Sequence, residues 1–101
     1  MIRIALVCSF GMSTSLLVQS MEKVARQRGL AVEIEALGTG DVQKRSERID
    51  VILLGPQVRY AQASLRRLGK PLAVIDPLVY AMARGEAALD QALALLGGEK
   101  N

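Results

Sequence analysis

The segment IDVILLG, residues 49–55, is the feature that most limits what this chain can fold into. Its apolar residues follow one another almost without interruption, whereas a strand with one face in water alternates apolar and polar residues. Both faces of this strand are therefore expected to be buried, as in parallel sheets that helices cover on both sides. Two further short apolar runs, IRIALV at residues 2–7 and LAVI at residues 72–75, have the same character.

Amphipathic segments separate these strands, and their apolar residues recur at helical spacing. The predicted helical faces comprise Leu17, Met21, Val24, Ala25 and Arg28; Val58, Ala61, Leu65 and Leu68; and Leu89, Ala92, Leu93 and Leu96. A glycine follows each of the first two segments, which is a typical signal for the end of a helix. The chain thus alternates between strands and helices.

The strand predicted at residues 32–36, the second along the chain, differs from the other three because Val32, Ile34 and Ala36 alternate with glutamates. One face in water predicts that this strand lies at an edge of the sheet. The polar segment GTGDVQKRSER then returns over the surface with a short helix, and Asp76 and Pro77 end the last strand. We predict one α/β domain over residues 1–101, with a four-stranded parallel sheet of order 2-1-3-4 and helices on both faces.

Composition excludes several functional classes. The chain of 101 residues has one cysteine and no histidine, so an internal disulfide, a structural zinc site and a Cys-His nucleophile pair are not expected. No apolar run is long enough for a membrane span and no leader precedes the first strand, which predicts a cytoplasmic protein without membrane insertion. A net charge of +3 with interleaved acids and three aromatic residues disfavours nucleic acid. No metal or cofactor is predicted.

The single cysteine stands at the end of the first strand, in VCSFGMSTS at residues 7–15. Ligands of open α/β sheets bind beyond the carboxyl ends of the strands, and the next helix begins near Ser13 to Ser15. The unpaired amides and the dipole at that helix start favour an anion and favour thiolate over thiol at Cys8. Gly11 allows the turn, and the hydroxyl residues can cap the helix or donate to an oxyanion. The loop is predicted to hold a phosphate-sized group around the sulfur.

Three alternatives compete with a nucleophile that holds a phosphoryl group. Cys8 can be a small buried apolar residue, or the loop can bind an anion without covalent chemistry. The third alternative is a divergent phosphatase, because the predicted fold resembles that of low-molecular-weight tyrosine phosphatases, which carry a nucleophilic cysteine after the first strand. Their Cys-x5-Arg motif is broken here, since Thr14 stands at the arginine position and no Arg or Lys occurs between Cys8 and Lys23. Asp76 is the only plausible acid for the leaving group.

The loop CSFGMSTSLLV resembles the CSAGMSTSLLV loop of the IIB components in the lactose/cellobiose/diacetylchitobiose branch of the bacterial sugar phosphotransferase system. VILLGPQVRY and VIDPLVYA are similar to later blocks of that family, so the likeness covers most of the chain. It implies that Cys8 becomes a phosphocysteine within a cradle formed by Ser9, Phe10, Gly11, Met12, Ser13, Thr14 and Ser15. It also implies that a phosphohistidine of the IIA protein supplies the phosphoryl group, and that a sugar bound by the IIC permease, such as cellobiose, chitobiose or lactose, receives it.

Two residues depart from the family pattern, and four more are candidates for partner contact. Phe10 replaces a small residue and Pro77 a serine; the ring of Phe10 either widens the docking surface or folds onto the core. If the fold is right, the four candidates lie near one rim with Phe10: Met12, Pro56, Gln57 and Tyr80. Each also has a structural alternative, as a gap filler, a strand stop, a neighbour of a helix cap and a packed ring, respectively.

Overall fold

The computed structural model of the protein describes residues 1–8 and 12–98. Its strands are β1 (Ile2–Val7), β2 (Val32–Leu37), β3 (Val51–Leu54) and β4 (Leu72–Val74). Its helices are α1 (Met12–Gln27), α2 (Thr39–Lys44), α3 (Gln62–Leu65), α4 (Pro77–Ala81) and α5 (Gly85–Gly98). Turns of 3₁₀ helix lie at Ser46–Arg48, Pro56–Ala61 and Arg66–Leu68.

The four strands form one parallel sheet in the order β2-β1-β3-β4, which confirms the predicted topology. In the register of the sheet, Leu6 of β1 lies between Ala36 of β2 and Leu53 of β3. The chain runs from β1 outward to β2, then returns across β1 to β3 and β4. The winding therefore changes direction between β1 and β3, the place where open α/β sheets form their ligand crevice.

The two faces of the sheet have separate apolar cores, because neighbouring side chains on a strand point to opposite sides. On one face, helices α1, α4 and α5 cover a cluster that includes Ile4, Leu6, Cys8, Ile34, Val51, Leu53, Leu17, Met21, Ile75, Tyr80 and Leu89. On the other face, α2, α3 and the adjoining turns cover Ala5, Val7, Ile52, Leu54, Val42, Val58, Ala61 and Leu65. All four residues of β3 are buried, as its uninterrupted apolar run predicts.

The predicted helix over residues 58–68 is divided into a 3₁₀ turn, the four-residue α3 and a second 3₁₀ turn. Val58 has φ −115° and ψ 21°, which are not helical values. Val58, Ala61 and Leu65 are nevertheless buried, since spacings of three and four residues keep one face in either kind of helix. The apolar pattern gave the buried face correctly, and the continuous helix was wrong.

Three other expectations also need correction. Ala36 is exposed although its strand alternates, because β2 is the edge strand and Ala36 stands near its end. Arg28 lies beyond the end of α1 and is exposed, where it pairs with Asp90 of α5. Asp76 and Pro77 are predicted only to end the last strand, whereas α4 begins at Pro77.

In the described part of the chain, no helix combines the length and the apolar character that crossing a membrane requires.

Candidate functional site

Cys8 directly follows β1, and the backbone around it is fixed on both sides. Its amide donates a hydrogen bond to the carbonyl oxygen of Leu37, at 3.1 Å, and the carbonyl oxygen of Val7 accepts one from the amide of Gly55, at 2.8 Å. The residue is 5% exposed and belongs to the apolar cluster under α1, α4 and α5. Such burial is what a structural cysteine predicts, so burial alone does not identify a nucleophile. The position at the carboxyl edge, beside the change of winding, is what favours a site.

Gly55 leaves the space in which the sulfur lies. A Cβ added to Gly55 would stand 2.8 Å from Cys8 Sγ and 2.8 Å from Gln57 Oε1. Because both atoms would lie 2.8 Å from that same Cβ, Cys8 Sγ and Gln57 Oε1 are at most twice 2.8 Å apart. Gly55 follows β3 directly, next to Cys8. Because it has no side chain, the thiol of Cys8 and the side-chain amide of Gln57 can both lie over it, at the carboxyl edge of the two central strands.

The start of α1 is held to α4 by two buried hydroxyl groups. Thr14 Oγ1 and Tyr80 Oη are 2.9 Å apart and share a hydrogen bond, and each residue is 6% exposed. Thr14 is the third residue of α1, whereas Tyr80 belongs to the helix that follows β4. The bond joins the helix that follows β1 to the helix that follows β4, at the edge of the sheet where Cys8 lies.

A close crossing also fixes α1 against α5. The amide of Gly85 donates to Ser20 Oγ at 2.9 Å, and a Cβ on Gly85 would overlap the backbone of Ser20 and Met21. Only a glycine allows the start of α5 to approach α1 this closely. Two contacts therefore fix the orientation of the first half of α1: the bond of Thr14 to Tyr80 near its start, and the bond of Ser20 to Gly85 near its middle.

Asp76 follows β4 and caps α4. Its carboxylate Oδ1 accepts a hydrogen bond from the amide of Leu78 at 2.9 Å, and Pro77 occupies the first position of the helix, which are frequent features of a helix start. The one acid that a phosphatase could have used at this edge thus has a structural role. The two-residue signal Asp-Pro could have predicted α4 from the sequence.

The structure describes part of the predicted cradle. Ser9, Phe10 and Gly11 lie outside the described residues, so their predicted roles, and the question of where the Phe10 ring points, stay predictions. Met12 and Ser13 are the first two residues of α1. Ser15 is exposed on that helix. The helix begins slightly earlier than the sequence pattern indicated.

Of the four candidates for partner contact, the environment of the Met12 side chain lies outside what the structure describes, and those of the other three differ. Pro56 is half-buried and begins the 3₁₀ turn after Gly55, and Gln57 is exposed beside the sulfur. Tyr80 is buried, with its hydroxyl directed to Thr14, so little of it is available to a partner. Neither the Thr14–Tyr80 bond nor the space at Gly55 is predicted from the sequence. The sequence signal for the space at Gly55 is that a glycine directly follows β3, the strand that pairs with the strand before Cys8.

The clearest perturbed titratable pair lies far from Cys8. Arg28 follows the end of α1 and donates to Asp90 Oδ1 at 2.5 Å. This side-chain hydrogen bond lowers the pKa of the Asp90 carboxyl and raises the pKa of the Arg28 guanidinium. A helix of sixteen residues is about 24 Å long, which separates this ion pair from the cysteine edge.

Comparison with known proteins identifies the family. The model for the lactose/cellobiose-specific IIB subunit of the phosphotransferase system matches residues 3–91, which include every described element of the site.

Curated relatives cover nearly the whole chain. An oligo-beta-mannoside-specific EIIB component from Bacillus subtilis (strain 168) is 38% identical over 98 residues, which are 93% of this chain and 95% of that protein. Two proteins of Lactococcus lactis are each 40% identical over 102 aligned positions, 92% of this chain and 94% of theirs. One is a galactose-specific EIIB component of subspecies cremoris (strain MG1363), and the other a cellobiose-specific EIIB component of subspecies lactis (strain IL1403).

Solved structures agree in fold. The cellobiose-specific phosphotransferase IIB component from Borrelia burgdorferi has a TM-score of 0.80 at 35% identity, over 96% of this chain and 93% of that one. The lactose-specific IIB domain from Streptococcus pneumoniae has a TM-score of 0.79 at 19% identity, over 91% and 94%, and supports the fold alone. These IIB domains share the fold of low-molecular-weight tyrosine phosphatases, which confirms the predicted fold class. The chain belongs to the lactose/cellobiose-specific IIB family of the sugar phosphotransferase system, and as an EIIB component it is a phosphotransferase that works with IIA and IIC partners.

Proposed function

We propose that Cys8 accepts a phosphoryl group from a phosphohistidine of the IIA protein and passes it to a β-linked disaccharide bound by the IIC permease. The observation that carries this proposal is the place of the sulfur. It stands at the carboxyl end of a central strand, beside the change of winding, with the sixteen-residue α1 beginning four residues later. An anion on the sulfur is favoured by the positive end of that helix.

The chemistry balances with the residues of this chain and its two partners. The Cys8 thiolate attacks phosphorus, an S–P bond forms, and the N–P bond breaks with its electron pair returning to the imidazole of the donor. In the second step a sugar hydroxyl attacks the same phosphorus, and the S–P bond breaks to release the thiolate. The hydroxyl proton passes to a base of the permease or to water. No histidine of this chain is needed, and the chain has none.

The absence of a positively charged side chain in the loop suits a carrier better than a hydrolase. Between Cys8 and Lys23 the sequence has no Arg or Lys, so this loop offers a phosphoryl group only uncharged donors. A phosphatase stabilises the transfer to water with a guanidinium, and Thr14 occupies that position here. The Asp76 carboxylate, bound to the amide of Leu78, caps a helix. Both features favour transfer to a partner.

The sugar is proposed as a class. Relatives of nearly equal identity are named for oligo-beta-mannoside, galactose and cellobiose, so overall similarity to this chain does not separate the sugars. Two of the three names denote β-linked sugars, which is why we propose a β-linked disaccharide. We propose that the reaction cycle takes place in the cytoplasm, with phosphoenolpyruvate as the first source of the phosphoryl group.

The test uses the intact protein with phosphoenolpyruvate, the general phosphotransferase proteins and a IIA partner. We expect a mass increase of about 80 Da, one phosphoryl group, that disappears in Cys8→Ser. Membranes that contain the IIC permease and cellobiose should then remove the added mass and produce sugar phosphate. Phosphorylation that persists in Cys8→Ser would place the acceptor elsewhere and overturn the proposal.

A second measurement addresses the alternatives. Turnover of an aryl phosphate without any partner protein would favour a phosphatase. Phosphate binding with no mass increase, even when IIA is phosphorylated, would favour an anion-binding module. Cys8 is the only thiol, so alkylation by iodoacetamide reports on it alone. We expect prior alkylation to prevent phosphorylation.

A further inference from the structure

Among the described residues, the Thr14–Tyr80 bond is a polar contact inside an otherwise apolar cluster. Both residues are 6% exposed, and Tyr80 shares its cluster with Cys8. A valine and a phenylalanine would fill the same volumes without any polar atom. The two hydroxyls therefore add direction to a contact that packing alone does not require.

Either hydroxyl can donate in this hydrogen bond, and the chemistry of the two groups favours one direction. Each hydroxyl has one proton and can accept from a second donor, so only one of the pair donates to the other. A phenol is a stronger donor than an aliphatic alcohol. When Tyr80 donates to Thr14 Oγ1, the proton of Thr14 is left for another acceptor. In the opposite direction Thr14 would donate, and the Tyr80 proton would be the one left for another acceptor.

The position of Thr14 suggests what that other acceptor is. Thr14 is the third residue of α1, in the turn whose amides have no partner within the helix. The side chain of Cys8 points to the face of the sheet that α1 and Tyr80 cover. A phosphoryl group on the sulfur would bring several strong acceptor oxygens to this edge.

We propose that Tyr80 is a positioning residue for phosphoryl transfer, whose phenol donates to Thr14 Oγ1 and so directs the Thr14 hydroxyl proton to the phosphoryl group on Cys8. The inference rests on the proposed function, because it needs a phosphoryl group on that sulfur. No proton changes owner in this arrangement. This role lies inside the protein, whereas the sequence made Tyr80 a candidate for partner contact or a packed ring.

The test compares wild type with Tyr80→Phe, which keeps the ring and removes the hydroxyl. We expect the kcat for Cys8 phosphorylation by phosphorylated IIA to fall about tenfold, less than the roughly 10²–10³-fold loss from removing a direct oxyanion donor. The KM for IIA should stay unchanged, since Tyr80 is buried. The ³¹P resonance of the phosphocysteine should also shift. Tyr60→Phe is the matched control, because it removes the same hydroxyl group from a tyrosine that is 77% exposed.

Thr14 variants determine whether Tyr80 acts through Thr14. Thr14→Val keeps the shape, removes the hydroxyl and should lower kcat more than Tyr80→Phe, whereas Thr14→Ser should retain near wild-type kcat. In the double variant of Thr14→Val and Tyr80→Phe we expect no loss beyond that of Thr14→Val. The Thr14 variants also test the inference if Tyr80→Phe does not fold, which melting temperatures would reveal.

The outcomes separate this inference from the proposed function. If wild-type Cys8 is not phosphorylated, the proposed function fails and the inference with it. If Cys8 is phosphorylated and Tyr80→Phe retains wild-type kcat, the inference alone is overturned. A raised KM with unchanged kcat would make Tyr80 a partner contact, and additive losses in the double variant would show that it acts independently of Thr14. Either result contradicts the positioning role.

Discussion

Replacing Gly55 by alanine tests whether the sulfur of Cys8 needs the space that the missing side chain leaves. Gly55 has φ −64° and ψ 152°, which alanine adopts without strain, so the substitution mainly adds volume. The new Cβ would lie 2.8 Å from both Cys8 Sγ and Gln57 Oε1, well inside the roughly 3.5–4.0 Å at which non-bonded atoms rest. Gln57 is exposed and can turn away, whereas the sulfur turns on a single bond inside the core.

The magnitude follows from this difference between the two neighbours. Overpacking a core by a methyl group costs about 1–3 kcal/mol, and about 1 kcal/mol shifts the melting temperature of a domain of this size by roughly 4–8 °C. The loss of activity should be larger, because misplacing a reacting atom by about 1 Å can cost about 100-fold. We expect Gly55→Ala to remain folded at 25 °C while its initial rate of Cys8 phosphorylation by phosphorylated IIA falls on the order of 100-fold.

Gly40→Ala is the control for this experiment. A Cβ on Gly40 would have no atom within 4 Å, and the residue is exposed on helix α2. Alanine is favoured over glycine in helices by up to about 1 kcal/mol, so Gly40→Ala should be slightly more stable and equally active. A phosphorylation rate for Gly55→Ala within about twofold of wild type, far from the loss expected of a misplaced atom, would refute the reasoning that Gly55 positions the sulfur.

Two further substitutions test the packing and the charges around α1. Gly85→Ala should lower the free energy of unfolding by about 1–3 kcal/mol or more, because the Cβ of the alanine would overlap the backbone of Ser20, which cannot rotate away. An unchanged melting temperature would contradict the close crossing of α1 and α5. Asp90→Asn should lower the melting temperature slightly at pH 7. The bond from Arg28 holds the pKa of Asp90 below its ordinary 3.8, so the pair stabilises the fold above that value and the stabilisation is lost as the pH falls below it. The difference between Asp90→Asn and wild type should therefore vanish in acid, and a difference that persists there would show that the ion pair is not its cause.

Much of the architecture could be predicted because each signal lies within a few neighbouring residues. The uninterrupted apolar run of β3 indicated a strand buried on both faces, and the alternation in β2 indicated an edge strand. The helical region after β3 was less predictable. Its apolar residues at spacings of three and four fit both an α-helix and a 3₁₀ helix, so Val58 and Leu65 were placed on the correct face within the wrong kind of helix. Helix α4 was missed, although Asp76 and Pro77 carry its start signal.

By itself, the sequence determined the parallel α/β class and the place of Cys8 at the end of the first strand, because apolar periodicity and the family loop are local properties of the chain. Only the tertiary structure decided which distant residues surround the sulfur. Gly55 lies 47 positions along the chain from Cys8, and Tyr80 lies 66 from Thr14. Nothing in the spacing of such residues encodes a contact, since the contact exists only after parallel strands bring their ends to the same edge of the sheet.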